Sequence, residues 1–317
     1  MLIMQSLTKI NGQTQNFDIL LFDNFSNHCL ANTVEPLRAA NTLSDRTLYH
    51  WRFLTMDGAA VVSSSGMQVA PHGALNEGEG TALMIMPSYG FRGLGSWDIT
   101  KGLRAAAKRY TYLAGLDTGS WLLASAGLLA GYRATIHWEE LTSFAETFPD
   151  VDAQRERFVM DRDRITCSGA MAAFDLIMHL ISETHDPLLS VAVAQLFMTR
   201  DSARSHSSFS RTSGRSVDRA ISIMQEHLER PLSVGDVALQ VGCTQRTLEQ
   251  RMRAELNVTP QAVYRRLRLT LARKLVCDTD QRVTEIAARC GYENASAMTR
   301  AFKAEFDQTP RQLRSQF

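Results

Sequence analysis

The 317-residue chain is predicted to form an α/β N-terminal domain followed by an all-α C-terminal domain. Three observations predict this division. Continuous apolar runs alternate with helical spacing from Phe17 to about Leu189, a serine-rich basic segment follows at 201–215, and every later segment has helical spacing. We therefore predict domains at 1–200 and 216–317. The segment between them is interpreted as a flexible tether, which is favoured over a basic arm that touches phosphates.

The N-terminal domain is predicted to contain a parallel sheet. Four apolar runs have the length and composition of buried strands, and helical spacing occupies three segments around them. Continuous apolar strands that alternate with helices are typical of a flavodoxin-like parallel sheet with helices on both faces. The predicted strands are 17–22, 51–56, 82–86 and 112–116, and the predicted helices are 27–41, 98–110 and 170–183.

Charge is divided unequally along the chain. The net charge is only +1, but residues 215–317 hold 17 Lys and Arg against 12 Asp and Glu. The C-terminal part is therefore positive by five and the remainder negative by four. A basic domain joined to an acidic one is compatible with nucleic acid at one end of the molecule, although the excess is modest.

The cysteines and the apolar segments indicate in which cellular compartment the protein is expected. The five cysteines form no C-x-x-C pair, which argues against a disulfide framework and a structural zinc site. The N-terminus is too short and polar for a signal peptide, and no apolar run approaches the ~20 residues of a membrane span. We expect a cytoplasmic protein, nucleoid-associated when bound to DNA, with no membrane segment, metal or cofactor.

A duplicated pattern dominates the C-terminal domain. Its copies cover 237–260 and 286–310, with their turn glycines, Gly242 and Gly291, 49 residues apart and their terminal prolines 50 apart. Each copy has the pattern of a short helix, a turn at glycine and a second amphipathic helix. This helix-turn-helix plan places the second helix in a DNA groove. The predicted motifs occupy 233–256 and 283–306.

The second helix of each copy has a polar face that is suited to reading DNA. Leu248, Met252 and Leu256 recur every four residues, as do Met298, Phe302 and Phe306, so each stripe should be buried. Arginine and glutamine can bond base edges, while lysine and serine hold phosphates. A plain solvated face is the alternative, but the duplication, the charge and the glycine turns favour DNA. The outward positions are Arg246, Glu249, Gln250, Arg253, Ser296, Thr299, Arg300 and Lys303.

A long helix is predicted between the two copies, at 261–276. It would set the two reading helices at a fixed separation. If both point the same way, they would meet adjacent major-groove segments about one turn (~34 Å) apart. One chain could then read an asymmetric site.

These residues closely resemble the AraC family of transcription regulators. The resemblance covers about 217–316 and includes Arg268-Leu-x-x-Ala-Arg-x-Leu275 and Ile286-Ala-x-x-Cys-Gly-Tyr292. It implies seven helices, sequence-specific binding to promoter DNA and activation through contact with RNA polymerase. By position it implies the base-reading residues Arg246, Glu249, Gln250, Ser296, Thr299 and Arg300.

The turn after Leu116 is the most informative point of the N-terminal domain. A strand, a turn of small residues and a helix would place Asp117 at the carboxyl end of the parallel sheet, where ligands bind in open α/β folds. Amides that open the next helix could hold an anionic group.

The region 17–196 resembles the type 1 glutamine amidotransferase-like superfamily, in its PfpI-like branch fused to AraC-type domains. The segment from Gly119 to Trp138 is the most specific part, with 35–41 and 166–169 as further matching pieces. In catalytic relatives the elbow residue is a cysteine nucleophile, whereas here it is Asp117. A carboxylate lacks the thiolate chemistry for amide attack, so we predict no catalytic residue and no enzyme activity. An amidase or peptidase with a DNA-targeting domain is the alternative.

The same region suggests a ligand. Carboxylates and aromatic faces together suit a cation, which points to an amine or amino-acid-like effector such as arginine, glycine betaine or carnitine. Alternatively, the tryptophans are core residues and Asp117 caps a helix. The expected ligand-binding residues are Glu35, Asp117, Thr118, Trp121, His137 and Trp138.

Together these features predict a homodimeric transcription regulator, an activator, that responds to a small molecule. The ligand-binding domain is also expected to form the dimer, and the C-terminal domain to bind the promoter. A DNA-binding protein without any ligand is a third interpretation, and it predicts that no metabolite changes the melting temperature.

Overall fold

The computed structural model describes residues 14–197 and 214–315. Most of the predicted tether, at 201–213, lies outside the described residues. Contacts divide the chain into two units, of which the first ends at Thr184 and the second begins at His185 and includes Leu43–Asp45. The second unit therefore starts ahead of the boundary predicted at 200, because a helix at Pro187–Phe197 packs on the long helix of that unit.

The first unit is an α/β sandwich built on a seven-stranded sheet. Its strand order is β10-β11-β7-β6-β1-β2-β5, and every pair is parallel except the β10–β11 edge hairpin. Apolar side chains of β1, β6 and β7 are almost fully buried, as continuous apolar strands predict. The strands are β1 (Gln15–Leu21), β2 (Tyr49–Thr55), β3 (Val61–Val62), β4 (Gln68–Val69), β5 (Gly73–Ala74), β6 (Gly80–Met86), β7 (Tyr110–Leu116), β8 (Arg133–Ala134), β9 (Asp152–Ala153), β10 (Phe158–Asp161) and β11 (Arg164–Cys167).

Five helices cover this sheet or its connections. They are α1 (Asn27–Ser44), α2 (Trp97–Ala106), α3 (Gly119–Ser125), α4 (Leu141–Thr147) and α5 (Ala170–Thr184). The helix predicted at 98–110 ends early, at Ala106. Tyr110 instead begins β7, because its hydroxyl donates a 2.6 Å hydrogen bond to the buried carboxylate of Asp18 on β1.

Seven helices make up residues 214–315, as the resemblance implied. They are α7 (Gly214–Glu226), α8 (Val234–Val241), α9 (Gln245–Leu256), α10 (Pro260–Asp278), α11 (Val283–Arg289), α12 (Ala295–Phe306) and α13 (Pro310–Arg314), and α6 (Pro187–Phe197) precedes them. The predicted fold class, a parallel α/β domain followed by a helical domain with two helix-turn-helix motifs, is confirmed. No helix in 14–197 or 214–315 is long and apolar enough to cross a membrane.

A buried ion pair stabilises the sheet. The Asp18 carboxylate, which is 2% exposed, accepts 2.8 and 2.6 Å hydrogen bonds from the Arg52 guanidinium and one from the Tyr110 hydroxyl. Burial and the Asp18 carboxylate both raise the pKa of Tyr110, so its hydroxyl stays protonated and can donate.

Asp18→Ala is expected to lower the free energy of unfolding by about 2–3 kcal/mol. The change leaves Tyr110 and the partly exposed Arg52 without their shared acceptor, and losing hydrogen bonds to a charged group has about this cost. Urea unfolding of the full chain measures it. Glu156→Ala, which removes a surface ion pair with Arg133, is the matched control and should cost less than about 1 kcal/mol. Equal costs for the two variants would contradict the role given to Asp18.

Candidate functional site

The duplicated pattern forms two helix-turn-helix motifs, α8–α9 and α11–α12. Both turn glycines have left-handed backbone angles, with φ of 81° at Gly242 and 69° at Gly291. At Gly291 there is also no room for a side chain, since a Cβ atom would lie 2.6 Å from the Leu228 carbonyl oxygen and from Pro231. The turn of the second motif therefore requires glycine for conformation and for close packing.

The reading helices α9 and α12 bury the predicted stripe. Leu248 and Met252 of α9 are fully buried, as are Met298 and Phe302 of α12, while Leu256 and Phe306 are partly buried. The asparagine or threonine before each helix accepts a hydrogen bond from the third helical amide, at 2.8 Å for Asn294 and 3.1 Å for Thr244.

The eight residues proposed to meet DNA lie on the solvent side of these helices. Glu249 and Thr299 are half-buried, and the Glu249 carboxylate accepts a 2.9 Å hydrogen bond from the Gln245 amide. Six others are exposed: Arg246, Gln250, Arg253, Ser296, Arg300 and Lys303. In the part of the chain that the structure describes, no ion pair involves these arginines or Lys303, so their charge is not neutralised by a neighbouring carboxylate.

The long helix α10 connects the two motifs. Val263, Tyr264 and Leu267 belong to the core of the first motif, whereas Leu269 and Ala272 belong to the core of the second. The change occurs at about Arg268, so one helix forms part of both cores.

Two side chains of α10 hold backbone segments of the motifs, one ahead of the first motif and one at the turn of the second. The Tyr264 hydroxyl donates to the His227 carbonyl at 2.9 Å and accepts from the Leu232 amide at 3.1 Å, before α8. The Arg268 guanidinium donates to the carbonyls of Cys290 and Gly291 at 2.6 and 2.5 Å, after α11, and lies 4.1 Å from the centre of the Tyr292 ring. These contacts fix the motifs to a common helix.

In the first unit, Asp117 occupies the tight turn between β7 and α3. Its φ is 61°, a left-handed value that aspartate tolerates better than most residues. The turn packs closely on β6, because a Cβ at Gly119 would lie 2.1 Å from the Ile85 carbonyl oxygen. The Asp117 carbonyl accepts a 3.0 Å hydrogen bond from the His137 amide, and the Thr118 hydroxyl donates to the Ser88 carbonyl at 2.7 Å.

A cavity of about 790 Å³ opens beside this turn. Four of the six expected ligand residues line it: Asp117, Thr118, His137 and Trp138. The other lining residues are Glu139, Glu140 and the segment from Ser88 to Gly93. Two large aromatic side chains of the lining are unusually exposed, Tyr89 at 64% and Trp138 at 69%.

The structure places the remaining two expected residues elsewhere. Trp121 is only 9% exposed, because its ring packs edge-on against Phe91 and Phe148 at 5.3 and 5.1 Å between ring centres. Glu35 forms a 2.8 Å ion pair with Arg38 one turn further along α1 and is absent from the cavity lining. The core interpretation therefore holds for Trp121 but not for the exposed Trp138.

The cavity carries both signs of charge. The Arg92 guanidinium pairs with the Glu140 carboxylate and lies 5.1 Å from the Trp121 ring centre. Glu139 approaches the His137 ring at 3.8 Å. No hydrogen bond to the Asp117 carboxylate is present among the described residues, which leaves its oxygens available to a ligand. Tyr89 and Arg92 were not foreseen, because they follow β6 and only the fold brings them to this turn. Glu139 was also missed, although it directly follows the expected residues His137 and Trp138.

Two buried cysteines lie near the same turn. Burial, with the nearby Asp117 carboxylate, raises the pKa of Cys29 well above its usual value and that of Cys167 to about 12. A thiol with a raised pKa is a poor nucleophile at neutral pH. Neither cysteine therefore offers the activated thiolate that amide hydrolysis requires.

We expect an alkylating reagent at pH 8 to leave Cys29 and Cys167 unmodified in the folded chain. Both side chains are fully buried and protonated, whereas Cys243 is partly exposed and should react first. Mass spectrometry of the labelled chain identifies the modified thiols, and urea-unfolded chain gives the complete labelling for comparison. Labelling of Cys167 as fast as Cys243 would contradict the assignment.

An α/β domain with a tight turn after β7 is joined to a duplicated helix-turn-helix, and this combination is typical of a class of transcription regulators. Comparisons with known proteins support this class. Residues 237–316 match the model of a family described as "Helix-turn-helix domain". The chain is 33% identical over 313 residues to the HTH-type transcriptional regulator GbdR of Pseudomonas aeruginosa, covering 96% of this chain and 85% of that one. It is 35% identical over 311 residues to CdhR of the same organism, covering 95% and 92%.

Solved structures show the same folds. A ThiJ/PfpI family protein from Pseudomonas syringae superposes with a TM-score of 0.51 at 17% identity, over 81% of this chain and 94% of that one. An AraC family transcriptional regulator from Pseudomonas putida superposes with a TM-score of 0.50 at 23% identity, over 58% of this chain and all of that one. The chain belongs to the AraC family of HTH-type transcriptional regulators. Its N-terminal domain has the fold of a ThiJ/PfpI family protein. It is a DNA-binding transcription regulator.

Proposed function

We propose that this regulator activates transcription from a specific promoter when a small zwitterionic amine binds its N-terminal domain. The proposed DNA-contacting residues are the eight outward side chains of α9 and α12. The exposure of six of them, and the absence of an ion pair to their arginines and Lys303 among the described residues, support this assignment. We further propose that it acts in the cytoplasm as a homodimer, with its PfpI-like domain as the dimerisation domain, and that it contacts RNA polymerase.

The chemistry of the cavity supports a cationic effector. Trp138 and Tyr89 expose most of their surface at the rim, where burying apolar area against a ligand would be favourable. Aromatic faces attract quaternary ammonium and guanidinium groups, and the Asp117 carboxylate supplies the opposite charge. The main support for a cationic effector is that exposed Tyr89 and Trp138 line the same cavity as the Asp117 carboxylate.

The same cavity could also hold the negative end of the ligand. Arg92 is 55% exposed at its side chain, although it is paired with Glu140, so a ligand carboxylate could share its guanidinium. A molecule with a cation near Asp117 and a carboxylate near Arg92 satisfies both sides. Arginine, glycine betaine and carnitine are of this class.

Binding would act on transcription by shifting a population. A ligand changes a conformational equilibrium only by its difference in affinity for the two states, so the effector must bind better to the state that is active on the promoter. The cavity is formed by loops after β6, after β7 and before α4, and these are segments that a ligand could order.

The test is a thermal-shift titration of the full chain with glycine betaine, carnitine and arginine, followed by calorimetry of any ligand that raises the melting temperature. A concentration of ~100 times the dissociation constant should stabilise the ligand-binding domain by about 2.7 kcal/mol. The matched control is 3,3-dimethylbutyrate, a neutral-headed analogue of glycine betaine. Equal binding of the charged and neutral analogues would contradict the cation proposal. So would the absence of a shift with every amine tested.

A further inference from the structure

A second cavity, of about 780 Å³, lies in the second helix-turn-helix motif. Reading helix α12 forms one wall through Ser296, Thr299 and Arg300, and the first turns of α11 and α13 form the others. Four arginines line it and no acidic residue does: Arg282, Arg300, Arg311 and Arg314. We call this cavity the arginine groove.

The arginines of the groove are available for a ligand. Arg282, Arg300 and Arg311 are exposed, and no ion pair involves them within the described part of the chain. Arg314 donates from Nε to the Val276 carbonyl at 3.3 Å, but its buried Nη2 atom has no hydrogen-bond partner there. Arg314 therefore keeps a donor that no described acceptor satisfies, beside three exposed guanidinium groups that line the same cavity.

The equivalent positions of the first motif carry much less charge. The repeat spacing of 49 residues before the turn and 50 after it relates Arg282 to Ser233, Arg300 to Gln250, Arg311 to Gln261 and Arg314 to Tyr264. All four equivalents are neutral. The remaining charges of that surface, Arg246 and Glu249, are of opposite sign, so the duplicated motifs share a fold but differ by four positive charges at matched positions.

We propose that the arginine groove binds the phosphodiester backbone of DNA, and that the second motif is the electrostatic anchor of the protein. The proposal rests on the DNA-binding role of the domain. Because phosphate contacts release counterions without reading sequence, this motif supplies most of the salt-dependent affinity. The first motif, which is neutral at the four equivalent positions, then contributes mainly base contacts. One half of the operator is thus held mainly by base contacts and the other mainly by phosphate contacts.

The test compares two doubly substituted full chains, each lacking two positive charges of the second unit. The groove variant is Arg282→Gln with Arg311→Gln, both exposed residues. The control is Arg265→Gln with Arg289→Gln, also exposed but outside the groove lining. The probes are a random-sequence 30-base-pair duplex and the best genomic fragment bound by the wild type, titrated over a range of salt. Melting temperatures confirm that both variants fold.

The groove variant should lose affinity for both duplexes by the same factor. Its plot of log K against log salt should be shallower by about two, since each lost phosphate contact removes ~0.9 from the slope. The control should keep the wild-type slope. A groove variant with the slope of the control overturns the proposal, as does a loss confined to the specific fragment. Unchanged DNA affinity with lost transcription also overturns it and points to a protein partner.

The experiment distinguishes a failure of the phosphate-anchor proposal from a failure of sequence-specific DNA binding. If the wild type prefers no genomic fragment over random duplex, sequence reading fails, yet the random duplex still reports on the groove. If the wild type shows a preference and the groove variant keeps the full salt slope, only the anchor proposal fails.

Discussion

Arg268→Ala is expected to lower the affinity of the full chain for its operator by about 30- to 100-fold. The Arg268 guanidinium donates to the carbonyls of Cys290 and Gly291 at the turn of the second motif and stacks near Tyr292. Losing charge-assisted hydrogen bonds of this kind costs about 2–3 kcal/mol. That free energy holds the turn ahead of α12 against α10, so its loss allows α12 to leave the orientation in which both motifs meet one duplex.

Competition binding with a two-half-site operator and with each half-site alone measures the effect. Binding to the half-site of the first motif should stay unchanged, since the Arg268 guanidinium bonds carbonyls of the second motif, whereas Tyr264 holds the segment ahead of the first. Arg268→Lys should recover part of the loss, because lysine keeps the charge but not the two-pronged geometry. Arg265→Ala, on the exposed side of the same helix, is the control. Equal losses on both half-sites would show a general folding defect and contradict the positioning role.

Asp117→Asn is expected to reduce affinity for the cationic effector at least tenfold while leaving DNA binding without effector unchanged. The substitution removes the negative charge and preserves the size of the side chain, and asparagine also tolerates the left-handed φ of 61° at this turn. The expected loss reflects a charge pair in a cavity that is partly shielded from water.

Calorimetry of the effector and promoter binding with and without it are the two measurements. Asp150→Asn, an exposed carboxylate of the same unit outside the cavity lining, should bind the effector as the wild type does. Glu139→Gln should give a smaller loss than Asp117→Asn, because Glu139 is 62% exposed at its side chain and better solvated. Wild-type affinity in Asp117→Asn would show that the carboxylate does not contact the ligand.

The sequence predicted the repeated motifs well because the residues that specify them lie within a few positions of one another. The spacing of Leu248 and Met252 specifies a buried face, and a glycine between two helices specifies the turn. The left-handed φ of Gly242 follows from the same pattern. The contact of Arg268 with the Gly291 carbonyl could not be read in this way, since it joins residues 23 positions apart through tertiary packing.

The effector cavity was only partly predictable, for a related reason. Asp117 and His137 were found because both belong to one continuous segment around the strand-turn-helix. Trp121 is in that segment too, but helix geometry turns it towards Phe91 and the core. The partners Tyr89 and Arg92 come from the loop after β6. Their placement depends on strand order, which a single sequence does not determine.

Both reading helices of one chain are expected to engage the same duplex. Hydroxyl-radical footprinting of the full chain on its best genomic fragment, at moderate salt and against scrambled competitor, measures this. We expect two protected segments per chain, about one helical turn (~34 Å) apart, with Arg246→Ala weakening one and Arg300→Ala the other. A single protected segment, or no preference over scrambled competitor, would contradict it.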